Sequence, residues 1–585
     1  MRSAFQATAA QAAPGRTEQP GVKPWRLTVV LLATAAALAG FALSPALGEP
    51  DSARFVFGLW RWTQWGPAAG HIYDLSFSAG YYALFGGLSH GLGLGPARMV
   101  ELLKLASAAG YVAMALLAYE IGRLWLEPRL AAWAALAWIL SPGVWWLGLE
   151  AHPQAPATAM LLLALWLWAR AWEIGGQEQV LGRSETAGAL AAGLAALVAA
   201  LLLRADAVLA FPAFFALAML SVRCAPARTR RLALGWSLAF AAAACLVYAG
   251  IKRLLLGPLP GVEQHLAQKT VGYILHGLSL LGPRYILKQL APMALSPGLG
   301  LSVLAGIGVV WLWSEWRAGR KRGTETAGDR ATALWWLLAA WSLPMYLFWF
   351  LVLGNNARHL ALAFLPVLWA GGEGARRGLG AWRRRRQTIP ARGFARPRRV
   401  GAFSMLLGAW LLASGLDAFL PPASADLNLL VSANVPASAM HLRRAEAGIQ
   451  RAALRLQRLA ARDAASANEA ARPCFLGTPA TDPYILAGLL LAGTRFERRM
   501  PGSNLVNWIY LSPETNGGAV AAAPASFRIY EIYGAWQYRQ IQKSAQPPCR
   551  PIVSLEYTSA GSYRAYLGRR VRRLALGGLK IMRLR

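Results

Sequence analysis

The sequence predicts an all-α polytopic membrane protein with about eleven transmembrane helices and a small C-terminal α/β domain outside the cytoplasm. Of the 585 residues, 56% are hydrophobic and only 15% are charged, whereas soluble domains carry ~25% charged residues. Apolar runs rich in Leu, Ala and Trp recur through residues 27–420. Each is near the ~20 residues that a helix needs to cross a bilayer. Residues 421–585 contain no run of that length.

The N-terminal tail, residues 1–26, is polar and leads into the first predicted span, residues 27–46. Lys23 and Arg26 stand just before this span, and basic flanks stay on the cytoplasmic side of a membrane. The apolar run is longer than the core of a cleaved signal peptide. We therefore expect a retained anchor with a cytoplasmic N-terminus.

The first outer loop, residues 47–98, is aromatic and glycine-rich. Its part from Gly80 to Leu94 is apolar but contains Gly, Ser and His, which predicts an interfacial or re-entrant helix rather than a full span. A complete crossing there would invert the orientation of every later span.

The remaining predicted spans are residues 99–118, 131–147, 155–170, 187–203, 207–222, 232–251, 298–313, 331–353, 360–374 and 401–420. A second long outer loop covers residues 252–297. With this assignment the loops rich in Lys and Arg fall repeatedly on one side, which identifies that side as cytoplasmic. The pattern predicts a multi-pass membrane protein.

The net charge of +33 raises the question of nucleic-acid binding. The most basic stretch runs from Arg376 to Arg399 and lies between two apolar runs. Positive loops of this kind set membrane topology and contact anionic lipids. We therefore expect membrane lipids, and no nucleic acid, as partners of the basic residues.

The pattern of residues 421–585 predicts a small α/β domain outside the cytoplasm, which is the periplasm if the chain is bacterial. Residues 440–465 have apolar side chains at helical spacing. Short apolar or aromatic runs separated by Pro, Gly and Asn then predict strands near residues 474–476, 506–511, 527–533 and 552–557. The region holds Cys474 and Cys549, and outside the cytoplasm either a disulfide or two separate thiols would fit.

The chemistry-bearing residues at the ends of spans all fall on the predicted outer side. They are Asp51, Asp74, Glu150, His152, Arg204, Asp206, Arg358 and His359. Ionisable groups near membrane segments are costly and often functional. Carboxylates can accept a proton from a hydroxyl nucleophile, and arginines can bind a phosphate through paired donors.

Each of these residues also has an ordinary structural interpretation. Asp51 fits a solvated loop acid, and Asp74 fits the N-cap of the helix that follows. Glu150 and His152 fit ordinary loop residues. Arg204 and Asp206 fit a charge pair that ends a span, and Arg358 fits an interfacial anchor. The sequence contains no phosphate-binding loop, no nucleophile elbow, no zinc-protease motif and no dinucleotide-binding glycine pattern. No metal-ligand spacing is present either, so no metal site is assigned.

Three segments resemble the GT-C class of membrane glycosyltransferases, and most closely the bacterial protein mannosyltransferases and lipid A aminoarabinose transferases. DSARFVFGLWRW resembles the opening motif of that family, where an acid and an aromatic helix follow the first span. HIYDLSFSAGYYALFGGLSHGLG resembles its second half, and ARHLALAFLPVLWAGG resembles its late Arg-aromatic-Pro segment. The resemblance covers residues 27–375.

The resemblance implies an inverting sugar transfer at the outer face from a polyprenyl-phosphate donor to an envelope glycan, lipid or protein. Asp51 matches the acid that the class uses as base. Ser52 stands where a second acid is common, so the resemblance leaves the base as Asp51 alone or Asp51 together with Asp74. The implied substrate-binding residues are Arg54, Glu150, His152, Arg204, Asp206, Lys269, Arg284, Arg358 and His359, the last standing where an aromatic is more usual. Some members use a divalent cation.

Two other functions fit the sequence. Spans that contain Pro and Gly are compatible with a transporter or flippase for a lipid-linked sugar. Against it, the two halves show no internal repeat, and the polar groups cluster on one face of the membrane and not at its midplane. A non-enzymatic envelope assembly protein would use the C-terminal domain to bind partners.

Overall fold

The computed structural model describes residues 22–43, 50–65, 77–141, 144–145, 148, 151–175, 184–221, 227–257, 299–322, 325–351 and 357–387. It also describes short pieces of 271–286, residues 490–491 and six strands beyond residue 472. The membrane-embedded region is helical, and the strands lie in the C-terminal region.

We number thirteen α-helices in the described part of this region. The first seven are α1 (Val22–Leu43), α2 (Pro50–Trp65), α3 (Ala79–Gly91), α4 (Pro96–Gly122), α5 (Pro128–Ile139), α6 (Gln154–Gly175) and α7 (Ser184–Leu203). The 3₁₀ turn η1 (Ala205–Ala210) connects α7 to α8 (Phe211–Ser221), and α9 (Ala227–Leu256) follows. The last four are α10 (Leu299–Arg322), α11 (Glu325–Leu337), α12 (Leu343–Leu351) and α13 (Ala357–Gln387).

Six helices in the described part of the chain are long and apolar enough to cross a membrane. They match the predicted spans 27–46, 99–118, 155–170, 187–203, 232–251 and 331–353. Their outward side chains include Leu38, Leu246 and Leu254, which are 65%, 74% and 85% exposed, as expected of surfaces that face lipid. The prediction of a helical, multi-pass membrane protein is confirmed.

The other predicted spans have less regular counterparts. Residues 131–147 and 207–222 correspond to the shorter helices α5 and α8, and residues 298–313 and 360–374 lie within α10 and α13. Residues 401–420 lie outside the described part of the chain. The count of eleven spans and the domain boundaries stay predictions.

The helix α3 supports the interpretation of residues 75–95 as something other than a full span. Its 13 residues extend only ~20 Å at 1.5 Å per residue, less than the ~30 Å hydrocarbon core. It packs against α2, α7 and α9, and Tyr81 and Tyr82 are fully buried there. A short helix held inside the bundle fits a re-entrant segment.

Small residues allow the helices to approach closely, as is usual in membrane bundles. A Cβ on Gly110 of α4 would lie 2.7 Å from the backbone nitrogen of Pro156 in α6. A Cβ on Gly308 of α10 would overlap the carbonyl oxygen of Gly371 in α13. These two crossings fix α4 against α6 and α10 against α13.

The helix α13 extends beyond its predicted span. Residues after 374 were expected to begin a loop, but the helix continues to Gln387. Glu373 is 1% exposed and binds Arg376 and Arg377, three and four residues later. Pairs at these spacings stabilise a helix, and arginine is itself a good helix former. The helix α9 similarly continues past residue 251 to Leu256.

A π-helical turn, Leu338–Ser342, joins α11 to α12. Its Trp341 is fully buried and packs edge-on against Trp369 of α13, with ring centroids 5.6 Å apart. Single π turns of this kind insert one residue into an otherwise continuous helix. Here the turn brings a tryptophan into contact with α13.

Six strands form two sheets in the C-terminal region. Their bounds are β1 (Pro473–Gly477), β2 (Arg528–Gly534), β3 (Val553–Leu555), β4 (Ala560–Tyr563), β5 (Arg572–Ala575) and β6 (Leu579–Arg583). The larger sheet has the order β1-β2-β6-β3, with β1 parallel to β2 and the other pairs antiparallel. β4 and β5 form an antiparallel pair.

The strands predicted near residues 474–476, 527–533 and 552–557 are confirmed. The parallel β1–β2 pair requires a crossover connection, which fits an α/β arrangement. The predicted strand 506–511 and helix 440–465 lie outside the described residues, and so does Cys549. The Cys474–Cys549 pairing stays a prediction.

Candidate functional site

The proposed catalytic acid, Asp51, is the second residue of α2. Pro50 occupies the first position, where a missing backbone N–H costs nothing. A carboxylate in the first turn of a helix is favoured by the helix dipole and by the unpaired N–H groups there. The segment after the first predicted span therefore forms a helix that begins at the acid.

The aromatic side chain of Phe55, one turn after Asp51, fixes the start of α2. Its ring lies edge-on to the ring of His152, with centroids 4.8 Å apart. It also packs against Tyr81 and Tyr82 of α3, at 5.6 and 5.9 Å. One phenyl ring thus joins α2 to α3 and to the loop that precedes α6.

The loop around His152 is buried and hydrogen-bonded. His152 is 2% exposed, and its Nδ1 accepts a hydrogen bond from the backbone N–H of Gln154 at 3.2 Å. Its carbonyl oxygen accepts a bond from the Ser107 hydroxyl of α4 at 3.1 Å. These two bonds hold the His152 loop against α4 and the start of α6.

Gln154 connects this loop to the break after α7. Its side-chain oxygen accepts a hydrogen bond from Nη1 of Arg204 at 3.0 Å. Nε and Nη2 of Arg204 donate to the two carboxylate oxygens of Asp206 at 2.8 and 2.5 Å. The Arg204 and Asp206 side chains are only 14% and 18% exposed. This bidentate geometry is the strongest form of an arginine–carboxylate contact.

The backbone explains why a charged pair stands at this point. Arg204 has extended dihedrals, φ −154° and ψ 115°, so α7 ends at the residue before it. Asp206 is in the first turn of η1, where an acid is favoured. The pair therefore ends one helix and starts the next while it binds α6.

Two further helices reach the same place. A cavity of about 30 Å³, space for about one water molecule, is lined by Arg204, Asp206, Thr158, Trp349 of α12 and Leu362 of α13, among others. Leu362 follows Arg358 by one helical turn. The indole N–H of Trp138 donates to the carbonyl oxygen of Ala361 at 2.7 Å, which fixes the first turns of α13 against α5.

The structure thus brings several predicted residues to one end of the bundle. His152, Arg204 and Asp206 belong to one connected network, Asp51 and Arg54 are in the first turns of α2, and Arg358 and His359 begin α13. Of Asp51, Arg54, Arg358 and His359 only the backbone is described. Asp74, Glu150, Lys269 and Arg284 lie outside the described residues.

Three connecting residues were not predicted as site residues: Phe55, Ser107 and Gln154. Each is uncharged, so the search for ionisable groups at span ends passed over it. Among the described residues, no three His, Cys, Asp or Glu side chains lie close enough together to bind a metal ion.

No protein-family model and no curated protein match this chain. Among solved structures, the chain is similar to ArnT from Cupriavidus metallidurans bound to undecaprenyl phosphate, with 13% identity and a TM-score of 0.47. That match covers 95% of this chain and 98% of that one. The apo state of the same protein matches over 96% and 98%, with the same identity and TM-score.

Proposed function

We propose that this chain is a membrane glycosyltransferase. It moves a sugar from a polyprenyl-phosphate donor to an acceptor of the cell envelope at the outer face of the inner membrane. The observation that carries the proposal is the network Asp206–Arg204–Gln154–His152, which ends on Phe55 one turn after Asp51. The network thereby fixes the N-terminus of α2, which carries Asp51, at the end of the bundle where α13 also begins, next to Arg358.

Asp51 is the proposed base. The carboxylate accepts the proton of the acceptor hydroxyl while that oxygen bonds to the anomeric carbon of the donor sugar. The bond between the anomeric carbon and the phosphate oxygen breaks, and polyprenyl phosphate leaves with the electron pair. The attack comes from the face opposite the phosphate, so the configuration inverts.

The leaving phosphate gains negative charge in this step, and cations must stabilise it. Arg358 and His359, at the start of α13, are the proposed contacts, together with Lys269, Arg284 and Arg54. An arginine can donate two parallel hydrogen bonds to a phosphate. The bond from Trp138 to Ala361 keeps this helix start in place.

His152, Arg204 and Asp206 have a positioning role in this proposal. Arg204 binds Asp206 and the Gln154 side chain, and His152 accepts a bond from the Gln154 backbone. The adjoining cavity has room for about one water molecule. Such a network is worth most when every member is satisfied. It therefore holds the helices at the site instead of gripping the sugar.

Aromatic side chains further along α2 and on α3 suit the proposed substrates. Trp62 and Tyr82 stack with centroids 6.0 Å apart, and the buried hydroxyl of Tyr81 has no hydrogen-bond partner within the described part of the chain. A buried hydroxyl without a partner costs free energy, so the Tyr81 position is a costly part of this packing. The Trp62 ring is only partly buried and offers an apolar face to sugar or lipid.

The orientation follows the basic loops. The N-terminus and the arginine-rich end of α13 are proposed to be cytoplasmic, and the C-terminal domain periplasmic. The active-site end of the bundle then faces the periplasm.

The test is sugar transfer by the purified full-length chain in proteoliposomes. Radiolabelled polyprenyl-phosphate sugars are supplied with extracted envelope lipids and glycans, and products are separated from unreacted donor. We expect labelled acceptor and release of polyprenyl phosphate. Movement of intact donor across the membrane without any product would favour a transporter and overturn the proposal.

A further inference from the structure

A second cleft lies at the other end of the helices, far from the network described above. It has a volume of about 560 Å³ and opens between α5, α10 and α13, in the ~300–1,000 Å³ range of small-molecule sites. Its walls are mainly apolar and include Leu130, Leu304, Leu368 and Leu379. Arg376, at its mouth, lies ~21 Å further along α13 than Leu362 at 1.5 Å per residue.

The apolar part of the cleft lies within the depth of one leaflet of a bilayer. On α13 the lining from Leu368 to Arg376 covers about 12 Å of helix. Half of the ~30 Å hydrocarbon core is ~15 Å. The cleft can therefore accept the headgroup-proximal part of one acyl chain aligned with the helices.

The mouth of the cleft is polar and contains Glu127, Arg129 and Arg376. Arg129 lies 6.0 Å from the centroid of the Trp25 ring, and in the described part of the chain it pairs with no carboxylate. Arg376 binds Glu127 at 3.2 Å, but these side chains are 40% and 56% exposed. Exposed ion pairs are weak, so an anion can replace Glu127.

A buried carboxylate fixes the direction of Arg376. Glu373, 1% exposed, accepts hydrogen bonds from Nε and Nη2 of Arg376 at 2.8 and 2.7 Å. The guanidinium is planar and rigid, so these two bonds leave Nη1 on the side of Glu127. An anion at the mouth of the cleft would meet that donor.

The segment that follows the cleft on α13 is positively charged, as a site for an anion requires. Beyond the cleft, α13 continues through four consecutive arginines, residues 383–386, before it ends at Gln387. Basic segments next to a membrane attract anionic lipids of the cytoplasmic leaflet. The polar end of the cleft and this basic segment are consecutive on one helix.

We propose that the cleft binds one anionic phospholipid of the cytoplasmic leaflet. One acyl chain occupies the apolar part between α5, α10 and α13. The phosphate binds Arg129 and Nη1 of Arg376 and displaces Glu127 from Arg376. This site is separate from the proposed transfer site and does not depend on the transferase activity.

The test is native mass spectrometry of the full-length chain in detergent, titrated with dioleoylphosphatidylglycerol or dioleoylphosphatidylcholine. We expect Arg129→Gln to raise the Kd for phosphatidylglycerol on the order of tenfold, the usual effect of losing a charged hydrogen bond. Arg231→Gln is the matched control, because Arg231 is exposed near the start of α9 and lines no part of the cleft. Its Kd should equal that of the wild type.

Two further variants make the outcome decisive. Glu127→Gln removes the competing carboxylate and should lower the Kd for phosphatidylglycerol about threefold. Ala375→Phe fills the cleft and should weaken binding of both lipids. Equal affinities for phosphatidylglycerol in Arg129→Gln, Glu127→Gln and Arg231→Gln would overturn the proposal. Unchanged binding in Ala375→Phe would also overturn it, because the lipid would then not occupy the cleft.

Discussion

Arg204 donates a hydrogen bond from Nη1 to the side-chain oxygen of Gln154, 3.0 Å away and fifty residues earlier in the chain. The same guanidinium binds both carboxylate oxygens of Asp206. One planar group therefore joins the start of α6 to the break between α7 and η1. The geometry of this end of the bundle depends on three polar side chains that satisfy one another.

Replacing Gln154 by Leu should destabilise the protein. Nη1 of Arg204 loses its acceptor while it remains largely buried, and an unsatisfied buried donor costs about 1–3 kcal/mol. The measurement is the apparent Tm in detergent, with Thr158→Val as the control. Thr158 lines the same cavity, but the described hydrogen bonds of Arg204 do not include it. A Tm of Gln154→Leu equal to that of the control would contradict the account.

The Arg204–Asp206 pair should show a large coupling in a double-mutant cycle of Arg204→Gln and Asp206→Asn. A bidentate, largely desolvated pair contributes about 1.5–3 kcal/mol through its charged hydrogen bonds. Each substitution should therefore lower the free energy of unfolding more in the wild-type protein than in the variant whose partner residue is already changed. Equilibrium unfolding in detergent measures the four free energies. Additive losses would mean that the two side chains act independently.

Gly110→Ala should lower stability, because the added Cβ would lie 2.7 Å from the backbone nitrogen of Pro156. Backbone atoms cannot rotate away, so α4 and α6 must separate, at a cost of about 1–3 kcal/mol. Gly250→Ala in α9 is the matched control, since nothing lies within 4 Å of its added Cβ. There the better helix propensity of Ala should raise stability by up to ~1 kcal/mol. Opposite signs in thermal unfolding are the expected result.

Trp138→Phe should affect transfer as well as stability. It removes the hydrogen bond to Ala361, one turn after Arg358. Trp168→Phe removes a bond of similar length, 2.8 Å to Phe214, in a part of the core away from α13. Both should lose about 1 kcal/mol of stability, but only Trp138→Phe should raise the KM for the polyprenyl-phosphate donor. An unchanged KM in Trp138→Phe would mean that the position of the N-terminus of α13 does not affect donor binding.

Much of the membrane region was predictable because the bilayer sets the length and composition of a span. Six predicted spans correspond to long apolar helices. The helices α9 and α13 continue beyond their predicted spans, because charged residues after an apolar run are typical of loops. At the end of α13 the charges of Glu373, Arg376 and Arg377 pair within one turn, so the helix continues through them.

Only the ionisable residues of the candidate site could be predicted from the sequence. His152, Arg204 and Asp206 could be identified because ionisable groups at span ends are rare. The sequence did not show that Arg204 binds Gln154, because an uncharged amide fifty residues away gives no local signal. It also did not show that Phe55 contacts His152, since aromatic residues are common throughout this chain.

The central claim is that Asp51, at the start of α2, is the base of a sugar transfer. The most direct measurement compares Asp51→Asn with Glu49→Gln and the wild type in a lipid-linked sugar transfer assay, with donor binding and Tm measured on the same samples. The asparagine keeps the size of the side chain but cannot accept the proton. We expect turnover to fall at least ~100-fold in Asp51→Asn alone, as for other general bases, with donor binding and Tm unchanged. Wild-type turnover in Asp51→Asn would contradict the assignment.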